Sequence, residues 1–258
     1  MFSWYTSLSD GFNFDPKFTP LGSPHAVILS VFTYLAGALI LNTGRRGCKP
    51  MNLGLLPVAH NIILCGGSAV MFIGTAFEIV KEYKRTGDSR FLFCLPPGFK
   101  VQGALYFWSY VYYLSKFYEL LDTAILVLRG KGLNFLHVFH HAFVMVMAYL
   151  WLDQAQSLQT TGMLTNTGIH VIMYYYYFLV SIGYKPKWKR LVTSAQIVQF
   201  LFSFANLVPF LYFHLYDGGC SGVEALAFNA VFNFALIALF GDFFKRSYSK
   251  SKKESKDA

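Results

Sequence analysis

The chain has 258 residues, of which 55% are hydrophobic and 19% aromatic, with only 14% charged. Charged residues make up roughly a quarter of an ordinary soluble domain, so this composition excludes one and fits a helical membrane domain of the same length. The net charge of +9 does not argue for nucleic acid, because the basic residues flank apolar stretches, where they set topology and meet anionic headgroups, and no nucleic-acid-binding module accompanies them.

A membrane-spanning helix takes about 20 predominantly apolar residues. In chain order, spans are predicted over 26–42, 61–80, 103–128, 135–152, 162–183, 191–215 and 223–244. The first residues, MFSWY, lack the basic stretch of a cleaved signal peptide, so the first span is expected to stay. The third and fourth spans read as the least apolar. Seven spans put Arg45, Arg46, Lys49, Arg129, Lys131, Lys185, Lys187, Lys189, Arg190 and the lysine-rich tail on one side. That excess marks the cytosolic face and leaves the N-terminus lumenal, with the basic loop between Lys81 and Lys100 as the awkward member. The domain is expected over 1–244. The tail 245–258 is too polar and repetitive to pack and is expected to be disordered.

The same topology bears on the four cysteines. Cys65 falls within the second span and Cys48 in a cytosolic loop, where thiols stay reduced. Cys94 and Cys220 fall in two lumenal loops, an oxidising setting, and are expected to form a disulfide.

Polar residues inside the spans point to function, since each costs a few kcal/mol at membrane depth. In the third span, KFYELLDT places Lys116, Glu119 and Asp122 three residues apart on one helix face, where opposite charges pair. The bland alternative is an interhelical ion network. The fourth span opens with LHVFHH, and His137, His140 and His141 share an arc of about 100°. Imidazole serves as metal ligand, general base or nucleophile, and three on one face exceed a chance polar contact. In the fifth span, His170 lies on a stripe with Met173, Tyr174 and Tyr177. A tyrosine run alone would read as an aromatic belt. The sixth span begins TSAQIVQ, with Thr193, Gln196 and Gln199 at helical spacing, as interhelical glue or chamber wall. Four successive polar stripes point to one shared chamber.

In order, KFYELLDT, HVFHH, HVIMYYYY and TSAQIVQ resemble the four signature boxes of the ELO-type very-long-chain fatty acid elongases, K-x-x-E-x-x-D-T, H-x-x-H-H, H-x-x-M-Y-x-Y-Y and T-x-x-Q-x-x-Q. H-x-x-H-H alone is shared with desaturases, whereas the ordered set is specific. The resemblance implies an all-α integral membrane fold of the endoplasmic reticulum with seven transmembrane helices, six enclosing an acyl tunnel and the first peripheral. It implies a 3-oxoacyl-CoA synthase that condenses a long-chain acyl-CoA with malonyl-CoA, releasing carbon dioxide and CoA, the first step of the elongation cycle. The middle histidine of the second box, His140, becomes the nucleophile of an acyl-enzyme. His137, His141 and His170 become the groups that orient it, move protons or steady the enolate oxygen, without a division of labour among them. Lys116, Glu119, Asp122, Tyr174, Tyr177, Gln196 and Gln199 are expected to shape the chamber and hold the polar part of the substrate, and Arg129, Lys131, Lys185, Lys187, Lys189, Arg190, Lys245 and Arg246 on the cytosolic face are candidate contacts for the CoA phosphates. No cofactor or metal is expected. The expected partners are acyl-CoA, malonyl-CoA, membrane lipids, a second copy of the chain and other enzymes of the cycle, and not nucleic acid.

Two rivals read differently. A di-iron desaturase needs about eight box histidines, and His25, His60 and His214 stand outside any box. A transporter would open on both faces of the membrane.

Overall fold

The structure, a computed structural model, describes residues 8–248. It is built from helices α1 Pro24–Gly44, α2 Leu56–Thr86, α3 Ala104–Glu119, α4 Leu121–Leu128, α5 Phe135–Asp153, α6 Gln159–Ser181, α7 Lys189–Ala205, α8 Leu207–Tyr216 and α9 Val223–Tyr248. Among the described residues no strand forms, only an isolated bridge between Asn13 and Gln102.

Among the described residues five segments are long and apolar enough to cross a membrane: α1, α2, α5, α7 with α8, and α9. The two that fall short are α3 with α4, and α6. They carry KFYELLDT and the His170 stripe, so the polar residues that depress their hydropathy are those singled out above. The fourth span, α5, was expected among the least apolar and is not. Its mean hydropathy over the span is 1.6, because leucine, valine, methionine and phenylalanine fill the turns after the histidines.

α1 shows what solvent the fold is made for. Ser23 caps it, its hydroxyl accepting from the Ala26 amide at 3.2 Å, with Pro24 in the first turn, a favourable start. Beyond that the helix is apolar on every side and buries only Val27, Tyr34 and Ala38. Leu29, Phe32, Leu39 and Ile40 are each more than 60% exposed, a surface that hydrocarbon covers and water does not.

The other helices close a ring. α2 packs on α3, α3 on α5, α5 on α9, α9 on α7, α7 on α6 and α6 back on α2, while α1 lies outside against α4 and α5. The longest of these seams joins α2 and α6. The core at the heart of the ring is aromatic, with Tyr112 stacked on Trp151 at 5.6 Å. Gly162 faces that indole closely, since a Cβ there would stand 3.0 Å from it.

At one end of the ring the connecting loops interlock. Leu95 donates its amide to Ser157 Oγ at 3.1 Å, Ser221 donates its amide to the Leu95 carbonyl at 2.7 Å, and the Ala225 amide donates to Gln154 Oε1 at 2.8 Å. Gly222 makes this possible, because at φ 73° with the Gln156 Cα 2.4 Å from where a Cβ would stand, no side chain fits. A disulfide joins Cys94 to Cys220 across the same loops, linking residues 126 apart in sequence. Loss of both sulfurs, in Cys94→Ser with Cys220→Ser, is expected to lower stability by about 2–4 kcal/mol by relaxing the unfolded chain. Thermal unfolding of the purified protein checks this, and a melting temperature unchanged by the double substitution would refute it.

At the opposite end α9 runs to Tyr248, so Lys245 and Arg246 stand on a helix and not in a tail beginning at 245. The remainder of the tail expected to be disordered, 249–258, lies outside the described residues.

Candidate functional site

The ring surrounds a cavity of about 330 Å³ whose wall draws on α2, the end of α3, α4, α5, α6, α7 and α9. All four histidines of the sequence cluster line it, with Glu119, Asp122, Tyr174, Tyr177, Thr193, Gln196 and Gln199. Residues from four separate motifs therefore meet in one chamber.

α5 presents its histidines from a capped start. Asn134 Oδ1 accepts from the His137 amide at 2.7 Å, which sets the helical phase from the first turn. The rings of His137 and His141, one turn apart, have centroids 4.5 Å apart, and those of His140 and His141 5.4 Å. His137 is held from behind: its Nε2 lies 2.8 Å from Thr123 Oγ1, and Thr123 lies 3.1 Å from the hydroxyl of Tyr34 on α1. His140 and His141 each have a buried Nδ1 without a protein partner, in a site where unpaired polar atoms are costly.

The charges of KFYELLDT divide into two groups. Lys116 Nζ is 2.7 Å from Glu119 Oε1 and sits 4.1 Å over the Tyr112 ring, and both charged side chains are 1% exposed. Asn166 Oδ1 on α6 accepts from the Tyr112 hydroxyl at 3.0 Å and from Lys116 at 3.5 Å. Glu119 Oε1 also faces His170 Nδ1 at 3.6 Å, and its Oε2 is buried and unpartnered. Asp122 does not join them. The helix tightens at Leu120, whose amide bonds back three residues to Phe117, as the Thr123 amide does to Leu120, in the manner of a 3₁₀ turn. That break separates α3 from α4 and turns Asp122 toward α2 and α6. There its Oδ1 meets His60 Nε2 at 3.0 Å, and its Oδ2 accepts from the Tyr174 hydroxyl at 2.9 Å.

Three expectations need correction. Lys116 is not on the cavity wall: it lies behind Glu119 and neutralises it. Lys187 and Arg190 do not reach the cavity either. Both are exposed, and the Arg190 guanidinium lies 5.2 Å over the Phe244 ring. Of the basic residues expected to meet CoA, Arg129, Lys131 and Lys189 do line the cavity, at its mouth, because α4 ends and α7 begins there. Finally, His60 belongs to the cluster, although it stands outside every motif. The second span was read from 61, whereas α2 starts at Leu56 with Pro57 in its first turn, so His60 is helical and faces inward. The sequence signal was the adjacent polar pair His60–Asn61 following a helix-starting proline. By contrast His214 serves the far end, where its Nδ1 accepts from the Cys220 amide at 3.0 Å.

On α7, Gln196 Nε2 lies 3.2 Å from Met173 Sδ, which ties the fourth motif to the third. Phe200, Phe240 and Phe243 complete an apolar part of the wall. The chamber thus pairs a polar region rich in imidazole with an aromatic one, under a basic mouth. Among the described residues no three His, Cys, Asp or Glu side chains are grouped as a metal ion would require.

Comparison with known proteins agrees with the motifs. The model of the ELO family, described as GNS1/SUR4, matches residues 19–256. The chain is 35% identical to the fatty acid elongase sre1 of Dictyostelium discoideum, covering 99% of this chain and 94% of that one. It is 32% identical to fatty acid elongase A of the same organism, over 93% and 89% of the two chains. Similarity reaches plants, with 28% identity to a fatty acid elongase 3-like protein of Arabidopsis thaliana over 98% and 89%.

Proposed function

From the premise that the chain belongs to the ELO (GNS1/SUR4) family of fatty acid elongases, we propose that it catalyses the condensation of a long-chain acyl-CoA with malonyl-CoA to 3-oxoacyl-CoA, carbon dioxide and CoA. The observation that carries the reading is the convergence of all four motifs on one cavity, with the His140 and His141 Nδ1 atoms unpartnered in its wall.

In this reading a neutral His140 attacks the acyl thioester through a ring nitrogen. The carbon–sulfur bond breaks, CoA leaves as thiolate and takes up the proton displaced from the imidazole. Malonyl-CoA then loses carbon dioxide, and the resulting enolate attacks the acyl-imidazole carbonyl; the carbon–nitrogen bond breaks, and His140 takes up the one proton that the overall reaction consumes and returns to neutral imidazole. An acyl-imidazole hydrolyses readily in water, so in this scheme the helix ring serves to limit its contact with bulk water. His137, with its Nε2 engaged by Thr123, and His141 beside it orient the nucleophile. His170, facing the Glu119 carboxylate, is the group suited to hold positive charge as the enolate forms. Arg129, Lys131 and Lys189 at the mouth receive the CoA phosphates. Phe200, Phe240 and Phe243 line the path of the acyl chain.

The protein is proposed to reside in the endoplasmic reticulum membrane with seven spans, counting the two polar ones, as one domain over 1–244. The N-terminus and the disulfide lie in the lumen, an oxidising compartment, and the mouth and C-terminus face the cytosol. A second copy and the other enzymes of the cycle are its proposed protein partners.

The test is purified protein in lipid nanodiscs with radiolabelled malonyl-CoA and a panel of acyl-CoAs. Labelled 3-oxoacyl-CoA is the expected product, and its absence across the panel would refute the reading. The same assay checks the expectation that no metal is used. Dialysis against a strong chelator should leave the rate within about twofold, and a rate lost on chelation and restored by zinc or iron would overturn it.

A further inference from the structure

The four motifs lie on α3 to α7, yet α2 contributes a histidine to the chamber. His60 is 3% exposed, lines the cavity and leans on the Tyr118 ring at 5.2 Å. Its Nε2 is 3.0 Å from Asp122 Oδ1. An ionised carboxylate only accepts, so Nε2 carries the proton in that contact. The other carboxylate oxygen accepts from the Tyr174 hydroxyl, so Asp122 is gripped from two helices. Tyr174 is 1% exposed, and its ring meets that of His170 edge-on, with centroids 5.4 Å apart at 82°. Four side chains from α2, α4 and α6 thus run in contact from His60 to His170.

We propose that His60 is a positioning residue: it holds the Asp122 carboxylate in the orientation that anchors the Tyr174 hydroxyl, and through the Tyr174 ring it sets the plane of His170. The inference rests on the condensing activity proposed above. Charge-assisted bonds to a carboxylate are stronger and more directional than neutral ones. Without the imidazole, Asp122 keeps one fixed donor and is free to turn about it. Displacements of about 1 Å at a reacting group cost rate on the order of a hundredfold, whereas the basic mouth that receives CoA is untouched.

The test uses full-length variants in nanodiscs, with steady-state condensation kinetics and thermal unfolding measured side by side. His60→Leu is expected to fold, to lower kcat about ten- to a hundredfold and to leave KM for acyl-CoA within about twofold. His60→Gln, whose amide N–H reaches toward Asp122, is expected to regain most of the rate. His60→Leu combined with Tyr174→Phe should be no more than about threefold slower than Tyr174→Phe alone, because both act on the same linkage. Wild-type kcat in His60→Leu, a rise in KM alone, no rescue by glutamine, or multiplying losses in the double variant would each overturn the proposal. Should His60→Leu fail to fold, His60→Asn replaces it, its amide being too short to reach Asp122. An inactive wild type would overturn the condensation reading itself, a result distinct from every variant outcome.

Discussion

Replacing His140 by alanine is expected to abolish condensation, by about a thousandfold or more, in a protein that still folds and inserts. The size of the effect follows from the role, since removing a nucleophile removes the covalent route and leaves only the binding and orientation supplied by the rest of the site. The fold should survive because the side chain is half-buried, with its Nδ1 unpartnered, so its removal costs ring contacts with His141 and Phe232 and strips no hydrogen bond at Nδ1. The more telling measurement uses acyl-CoA alone. Wild-type protein should release about one CoA per enzyme and then stop, leaving an acyl group that mass spectrometry finds on the α5 histidines. His140→Ala should give no such burst. A burst that persists in His140→Ala and vanishes in His141→Ala would move the nucleophile by one residue, and full condensation by His140→Ala would end the acyl-histidine scheme.

Much of this chamber was legible because helices keep their phase. Three imidazoles at offsets 0, 3 and 4 must share a face if the segment is helical, and α5, capped by Asn134, holds them to the wall. His170 and Tyr174, and Gln196 and Gln199, meet the same cavity by the same rule. The pairing of Cys94 with Cys220 was legible for another reason: alternating spans leave these two cysteines at one end of the bundle and Cys48 at the other. What periodicity does not report is a local break or the far side of an element. The 3₁₀-like tightening at Leu120 carries no proline or glycine to announce it, so Asp122 was placed with Lys116 when it turns to His60. The start of α2 was set five residues late, since Leu56–His60 reads as loop until Pro57 is recognised as a first-turn residue. Which basic residues stand at the mouth depends on where α4 ends and α7 begins in space, and sequence order does not contain that. Tyr34 reaches His137 through Thr123 from a helix that stands outside the ring, and no motif on α1 marks it.

Lys116→Met is expected to be the most destabilising single substitution considered, at about 3–5 kcal/mol, the cost of removing one partner from a buried ion pair. The lysine is fully enclosed, 2.7 Å from Glu119 and over the Tyr112 ring. Methionine fills its volume, so the loss is of charge and hydrogen bonds and not of packing. The Glu119 carboxylate would be left in a water-poor site with His170 at 3.6 Å and Ser115 at 3.4 Å. Adding Glu119→Gln to Lys116→Met should restore most of the melting temperature, because the two charges cost nothing once both are gone. Activity should not return with it, since the group facing His170 would then be neutral. This pattern, stability recovered without rate, separates a lysine that supports the chamber from one that holds substrate, the role expected from its motif. If Lys116→Met melts at the wild-type temperature and raises only KM for acyl-CoA or malonyl-CoA, then Lys116 reaches substrate in the working enzyme, and its place behind Glu119 does not describe its function.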